Sequence, residues 1–353
     1  MAASTLISQD LVRKLQVSID RTGQVLPISV SRTVKRTSRG PGWPSSCGRF
    51  PSIFCLRPSA KGFAVTQIHP SAIVHPTAEI GQNVTIGPFC VVEENTKIGD
   101  RCELSSFVTI KKGTQLGPEN KVHEHAVIGG PPQHLRAGME LGEVILGTGN
   151  VIREFVTIHR GLAPGKNTVI GNNNLLMVQS HVGHDTIIGN NTIITNNVML
   201  GGHVVIEDRA YVSGAVAVHQ FCRVGRNAMV GGQAHVVQDV APYVTVDGCS
   251  SLVVGLNLIG LKRNGFTPEQ VSELKRAYRI IFRSNLTNRE ALERVRREFP
   301  QSPALHFADF LAESERGFIQ ARTRGRGVDV SRPQLRVLSE GKESTSDANR
   351  RAG

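Results

Sequence analysis

From Ile68 onward an aliphatic residue recurs at every sixth position, through Val74, Ile80, Ile86 and Val92 to Val230 and Val236. Of the 29 positions in this one register, 26 are Ile, Leu or Val, and only His134, Glu140 and Pro164 are not. Those three residue types make up roughly a quarter of an ordinary chain, so chance does not produce the run. An α-helix repeats its face every 3.6 residues and a strand every 2, so neither returns the same face at every sixth residue over such a length. A period of six predicts a left-handed parallel β-helix, each hexapeptide forming one side of a triangular coil of about 18 residues. The aliphatic side chains point inward and stack on their equivalents in adjacent coils. Gly often follows the aliphatic position (Gly81, Gly99, Gly117, Gly189, Gly225), as expected at a corner with little room or an unusual φ. The Asn runs at 172–174, 190–191 and 196–197 suit tight corners, because Asn tolerates the left-handed conformation.

Two segments interrupt the hexads without shifting the register, 129–145 and 159–168, and are predicted to project from the coil as loops. From about residue 257 the pattern turns helical. Thr267-Pro268-Glu269-Gln270 combines an N-cap, a first-turn Pro and a capping-box Gln, and Val271, Leu274, Tyr278 and Ile281 follow at helical spacing. Further helices are predicted over 288–299 and 303–314. The reading is therefore a mainly β chain divided as 1–66, a transit peptide or disordered segment; 67–256, the β-helix; 257–319, an α-helical domain that caps the open coil edge; and 320–353, a disordered tail.

The net charge of +12 would suggest a polyanion binder if it were spread over the fold. It is not. Residues 1–66 carry ten Lys/Arg against two Asp/Glu, residues 320–353 carry eight against four, and residues 67–319 between them carry 23 of each. The neutral middle excludes nucleic-acid binding by the folded part. No stretch approaches the roughly 18 apolar residues of a membrane span, which excludes stable membrane insertion. The basic, acid-poor N-terminal segment has the composition of an organelle transit peptide, with the mitochondrion favoured by its Arg content and the plastid as the alternative. Six cysteines without a C-x-x-C pair argue against a disulfide scaffold or a cysteine zinc site.

All twelve histidines fall in the neutral middle. An 18-residue coil stacks His184, Gly202 and Gln220 in one column, Gly183, Gly201 and His219 in the next, and Asp185, His203 and Phe221 in a third. The segments S-H-V-G-H-D (180–185), L-G-G-H (200–203) and H-Q-F (219–221) so converge on one patch with a candidate base and an exposed backbone N–H. Solvated corner histidines are the structural alternative. Three imidazoles could also hold zinc in a γ-class carbonic-anhydrase-like site, although the sequence shows no clear ligand pattern and no metal is expected. A non-catalytic β-helix scaffold is the remaining class.

The segments V-I-R-E-F-V-T-I-H-R-G (151–161), N-N-L-L-M-V-Q-S-H-V-G-H-D (173–185), A-V-H-Q-F-C-R-V-G (217–225) and G-L-N-L-I-G-L-K-R-N-G-F (255–266) strongly resemble the UDP-N-acetylglucosamine O-acyltransferases of lipid A biosynthesis. Serine acetyltransferases and tetrahydrodipicolinate succinylases share the repeat but not this combination. The resemblance covers roughly residues 67–319. It implies a homotrimer with active sites between neighbouring coils, and transfer of an (R)-3-hydroxyacyl group from acyl carrier protein to the 3-hydroxyl of UDP-N-acetylglucosamine. No cofactor is implied beyond the carrier-protein thioester. By the motifs, His184 is the general base, Asp185 orients it, and the Gly202 N–H stabilises the oxyanion. His181, His203, His219, Gln220, Arg136, Asn257 and Arg263 bind substrate, and Met229 and Gly232 bound the acyl-chain pocket, with Gly232 leaving room for a long chain. Two departures stand out: the substrate-loop motif Asp-Leu-Lys-Tyr reads His134-Leu135-Arg136-Ala137, and an Arg-Arg pair reads Arg263-Asn264. Residues 257–319 carry 11 basic and 8 acidic residues, which suits docking of an acidic carrier protein and equally a solvated helical face. Another hexapeptide acyltransferase, such as one with an N-acceptor, is the runner-up within the enzymes.

Overall fold

A computed structural model describes residues 65–322. The transit-peptide reading and nearly all of the tail lie outside the described residues. Short strands, mostly of two residues, run from Gln67–Ile68 to Val253–Leu256 and pair into three sheets of eleven, nine and eight strands. All neighbouring pairs are parallel except Val244–Val246 with Val253–Leu256, which closes the last coil antiparallel. In plain coils the partners are three hexads apart, as in Thr85↔Glu103 and Ile187↔Val205. The mainly β helical coil expected from the hexads is the observed architecture.

The hexad residues form the core. Ile86, Ile110, Ile128, Ile158, Leu176 and Val212 are all essentially inaccessible. At the first described coil Ile68 is 45% exposed, since it has neighbours on one side only. A second inner column sits two residues before each aliphatic position and mixes Val (Val84, Val108, Val156) with small or polar groups, among them Cys90, Cys102, Asn120, Asn150, Asn174 and Thr192. Burial pushes the thiols of Cys102 and Cys222 up to about 11, so they are neutral packing groups.

The corners follow the sequence expectation and sharpen it in two ways. Most of the glycines after the aliphatic residues need room rather than an unusual φ, and Gly129, with φ 88°, is the exception. A Cβ on Gly99 or Gly117 would lie 2.6–2.7 Å from the backbone of the next coil. The left-handed corner residues are instead non-glycines, including Asn173, Asn191 and Asn197, but also Phe89, Phe107, His125 and Phe155, all with φ between 55° and 61°. The run Asn172-Asn173-Asn174 divides into three roles: Asn172 belongs to an outer ladder with Asn190, Asn173 takes the left-handed turn, and Asn174 points inward and is buried.

The two interruptions are loops. Lys121 pairs with Val151, five hexads on, and Val151 pairs with Leu175, four hexads on. The coil thus gains two hexads at the first loop and one at the second, and because both insertions are whole hexads the register survives. The flanking strands Val127–Gly130 and Val144–Leu146 bound the first loop, and Thr157–His159 and Thr168–Ile170 the second.

Among the described residues four helices follow the coil: α1 (Leu258–Arg263), α2 (Pro268–Arg283), α3 (Asn288–Glu298) and α4 (Pro303–Ala312). Thr267 and Gln270 form the expected capping box on α2, and Thr287 and Glu290 form another on α3. The helices seal the last coil. Tyr243 is buried with its ring against Phe266, His306 and Phe307, and Arg223 pairs with Asp239 at 2.9 Å while donating to the Phe310 carbonyl. No helix among the described residues is long and apolar enough to cross a membrane.

Candidate active site

Strand His181–Val182 ends at a corner formed by residues 183–186, and the next two coils place Gly201–Val204 and His219–Cys222 beside it. The backbone links the columns directly, because His203 N donates to His184 O at 2.9 Å and Phe221 N to Gly202 O at 3.1 Å. A groove of about 370 Å³ opens here, lined by His181, His184, Gly202, His219 and Gln220, and by Gln133, His134 and His159.

His184 is 7% exposed, and its Nδ1 lies 2.7 Å from Asp185 Oδ2. Asp185 is held from three sides. It adopts the left-handed conformation, its N–H donates to Thr168 Oγ1 at 2.9 Å, and its Oδ2 accepts from Leu162 N at 3.1 Å. The second loop thus helps to fix the carboxylate. With Nδ1 engaged there, the free ring nitrogen Nε2 is the one available to a substrate. It faces Gly202, where an ideal Cβ would come 2.5 Å from Nε2.

At another corner of the same coils the spare N–H groups are satisfied by side chains one coil on: Asn172 N donates to Asn190 Oδ1, and Asn190 N to Asp208 Oδ1. Gly202 N makes no hydrogen bond among the described residues. An unused N–H beside a buried His–Asp pair is the geometry of an acyl-transfer centre.

His181 and His203 are neutral companions. His181 hydrogen-bonds Thr157 Oγ1 at 2.9 Å, and burial, with the nearby His159, pushes its pKa down to about 4. Burial also lowers His203, against the opposing pull of Asp185, whose Oδ2 lies 3.8 Å from His203 Nε2. The His203 ring stacks on Phe221 at 4.5 Å and meets His184 edge-on at 5.1 Å. The donor atoms of His184, Asp185 and His203 lie within 4.8 Å of one another, close enough for a small cation, but the 2.7 Å contact shows Nδ1 already committed to the carboxylate. A second donor cluster, His123, Glu124 and Glu154, is neutralised by Arg153, which clasps Glu154 with two 2.9 Å bonds.

The structure brings His181, His184, Asp185, Gly202, His203, His219 and Gln220 together. It does not bring the rest of the expected residues to this groove within one chain. Arg136 is exposed on the first loop, and Arg263 is exposed in the last turn of α1. Asn257 caps α1 through Gly260 N and ties it to the Asn227 carbonyl. Met229 lies on an outward strand face, and Gly232 is exposed at the following corner. Conversely, His134 and His159 line the groove, although the residue pattern did not single them out for it. The available signal for His134 was its failure of the hexad rule, which marks where the chain leaves the coil. A larger cavity of about 480 Å³ lies where the coil meets the helices, but its polar groups pair internally, as in His306 with Glu207 and Asp309 with Arg296, both at 2.9 Å.

Fold and site together define a hexapeptide-repeat transferase, and residues 167–202 match the bacterial transferase hexapeptide model. Residues 239–319 match the model of UDP-N-acetylglucosamine O-acyltransferase domain 2. The acyl-[acyl-carrier-protein]–UDP-N-acetylglucosamine O-acyltransferase of Myxococcus xanthus is 51% identical over 255 residues, which span 72% of this chain and 99% of the relative. The crystal structure of the Francisella novicida UDP-N-acetylglucosamine acyltransferase superposes with a TM-score of 0.71 at 39% identity, covering 73% of this chain and 95% of that one. The Arabidopsis enzyme gives 0.65 at 37% identity, covering 72% and 100%. The chain belongs to the UDP-N-acetylglucosamine O-acyltransferase family.

Proposed function

We propose that the groove at His184 transfers an (R)-3-hydroxyacyl group from acyl carrier protein to the 3-hydroxyl of UDP-N-acetylglucosamine, the first step of lipid A synthesis. The observation that carries this is the buried His184–Asp185 pair facing the unbonded Gly202 N–H. His184 Nε2 takes the proton of the sugar hydroxyl as its oxygen attacks the thioester carbonyl. The C–O bond forms, and the negative charge on the former carbonyl oxygen is met by the Gly202 N–H. Collapse breaks the C–S bond, and the departing carrier-protein thiolate takes the proton back from Nε2. Asp185 keeps the proton on Nδ1 and offsets the charge of the transient imidazolium. The thioester supplies all the driving chemistry, so no resident cofactor or metal is part of the reading.

Neutral His181 and His203, with His219 and Gln220, offer hydrogen bonds to the uncharged parts of the substrates. The separation of Arg136, Asn257, Arg263, Met229 and Gly232 from this groove supports a homotrimer in which a neighbouring coil completes each site. The acidic carrier protein would dock on the basic helical segment. The basic N-terminal segment 1–66 supports an organelle-targeted form, in the mitochondrion or alternatively the plastid, which a fluorescent fusion of that segment would locate. The decisive assay offers purified protein UDP-N-acetylglucosamine and a series of hydroxyacyl carrier proteins. His184→Ala should lower turnover by at least about a hundredfold in a folded protein, and near-normal turnover by that variant would refute the mechanism.

A further inference from the structure

His184 is fixed on two sides by the coil: Asp185 holds Nδ1, and His203, itself stacked on Phe221, stands edge-on to its ring. A third contact comes from outside the coil. The ring of His134, on the first loop, meets His184 edge-on at 5.3 Å and 78°. His134 opens a tight turn, with Ala137 N donating to its carbonyl at 3.0 Å, and its Nδ1 accepts from Arg136 N at 3.0 Å. With the Arg136 N–H pointed at it, Nδ1 is the acceptor of this turn, and the bond fixes the plane of the His134 ring. The loop is tied to the coil at its ends, through Arg160 N to Gly130 O, Gly142 N to Gly161 O, and His159 Nδ1 to the Pro131 carbonyl at 2.6 Å. Between these ties residues 133–140 are exposed, and Leu135 and Met139 touch almost nothing.

We propose that His134 is a positioning residue for His184: the coil supplies the base, and the loop completes its orientation by setting an imidazole ring edge-on against its open side. This rests on the reading of His184 as the base, and it assigns the first loop a part in turnover rather than in binding alone. Misplacing a reacting group by about 1 Å can cost up to about a hundredfold in rate, so a loose base shows in kcat. The titratable groups around His134 are His184 at its ring, His159, His181 and His219 in the shared groove, and Arg136 on its own turn.

The test compares His134→Ala and His134→Phe with the wild type in the full-length protein, measuring kcat and KM for both substrates across pH. His134→Ala should lose about tenfold in kcat with KM changed by less than about twofold. His134→Phe keeps a flat ring and should recover most of that kcat. Wild-type kcat in His134→Ala, a loss confined to KM, or no recovery in His134→Phe would each overturn the proposal. The side chain is exposed on a loop, and matched melting curves would confirm folding. If the wild type fails to acylate UDP-N-acetylglucosamine, the functional reading fails. The His134 proposal is judged separately, on the ratio of variant to wild type with whichever acceptor is turned over.

Discussion

At position 202 a single methyl group would meet the Nε2 and Cε1 of His184 at 2.5–2.6 Å, inside any tolerable contact. Glycine there does two things at once: it lets the imidazole lie against the next coil, and it leaves a bare N–H at the groove. Gly202→Ala should therefore lower kcat by about a hundredfold by pushing the base aside, while the melting temperature moves little, since the corner is open to solvent on its outer side. His181 offers a different measurement. Its folded pKa of about 4 lies below the ordinary value of 6.5, so the unfolded chain takes up a proton in that window and the folded chain does not. Stability is then fully present above pH 6.5 and is lost as the pH falls toward 4. His181→Gln should flatten that part of a melting-temperature profile, and an unchanged slope would show that His181 is not its source. None of this follows from the histidine count. The 18-residue spacing placed His184 beside Gly202, but which ring nitrogen is free depends on Asp185 turning back at φ 58°, which only the folded corner reveals.

The coil is built from one element repeated, with two inner columns rather than one. The aliphatic column was plain in the sequence because Ile, Leu and Val stand apart from their neighbours. The second column was not, because its mixture of Val, Ala, Thr, Cys and Asn carries no single chemical signature. Asn120, Asn150 and Asn174 form a buried ladder in it. Asn150 donates through both its nitrogens to Asn120 Oδ1 at 2.9 Å, and Asn150 Oδ1 accepts from Asn174 N at 2.9 Å. The two long coils meet at these residues, so the ladder ties together the part of the helix that carries both loops. Asn150→Leu takes the acceptor from the Asn174 N–H and leaves Asn120 Oδ1 with the backbone donor of residue 150 alone, at a cost of about 1–3 kcal/mol for the buried group left unpaired. Denaturant melts should show that loss, against about 2–5 kcal/mol for Ile158→Ala in the hydrophobic column. A leucine as stable as asparagine would mean that water reaches the ladder.

For the molecule as a whole, the proposed trimer would make the groove of one chain one wall of a shared site. Several residues that the motifs imply lie elsewhere on the same chain, and so light scattering of the purified protein should give about three chain masses. A monomer with full activity would rule out the shared site. What the sequence determined by itself was the coil, the positions of its two loops and the helical cap. These rest on local rules: a side chain's inward or outward direction follows from its place in the hexad, and helix ends are written in residues such as Thr267 and Gln270. It also determined that His184, Gly202 and Gln220 share a column, because a fixed period turns sequence distance into spatial distance. Tertiary structure alone decided which contacts those columns make. His134 and Leu162 reach His184 and Asp185 from loops that have no period, so nothing in their spacing places them against the base and its carboxylate partner. The repeat thus located the histidine patch, but the loops that break the repeat complete the geometry around His184.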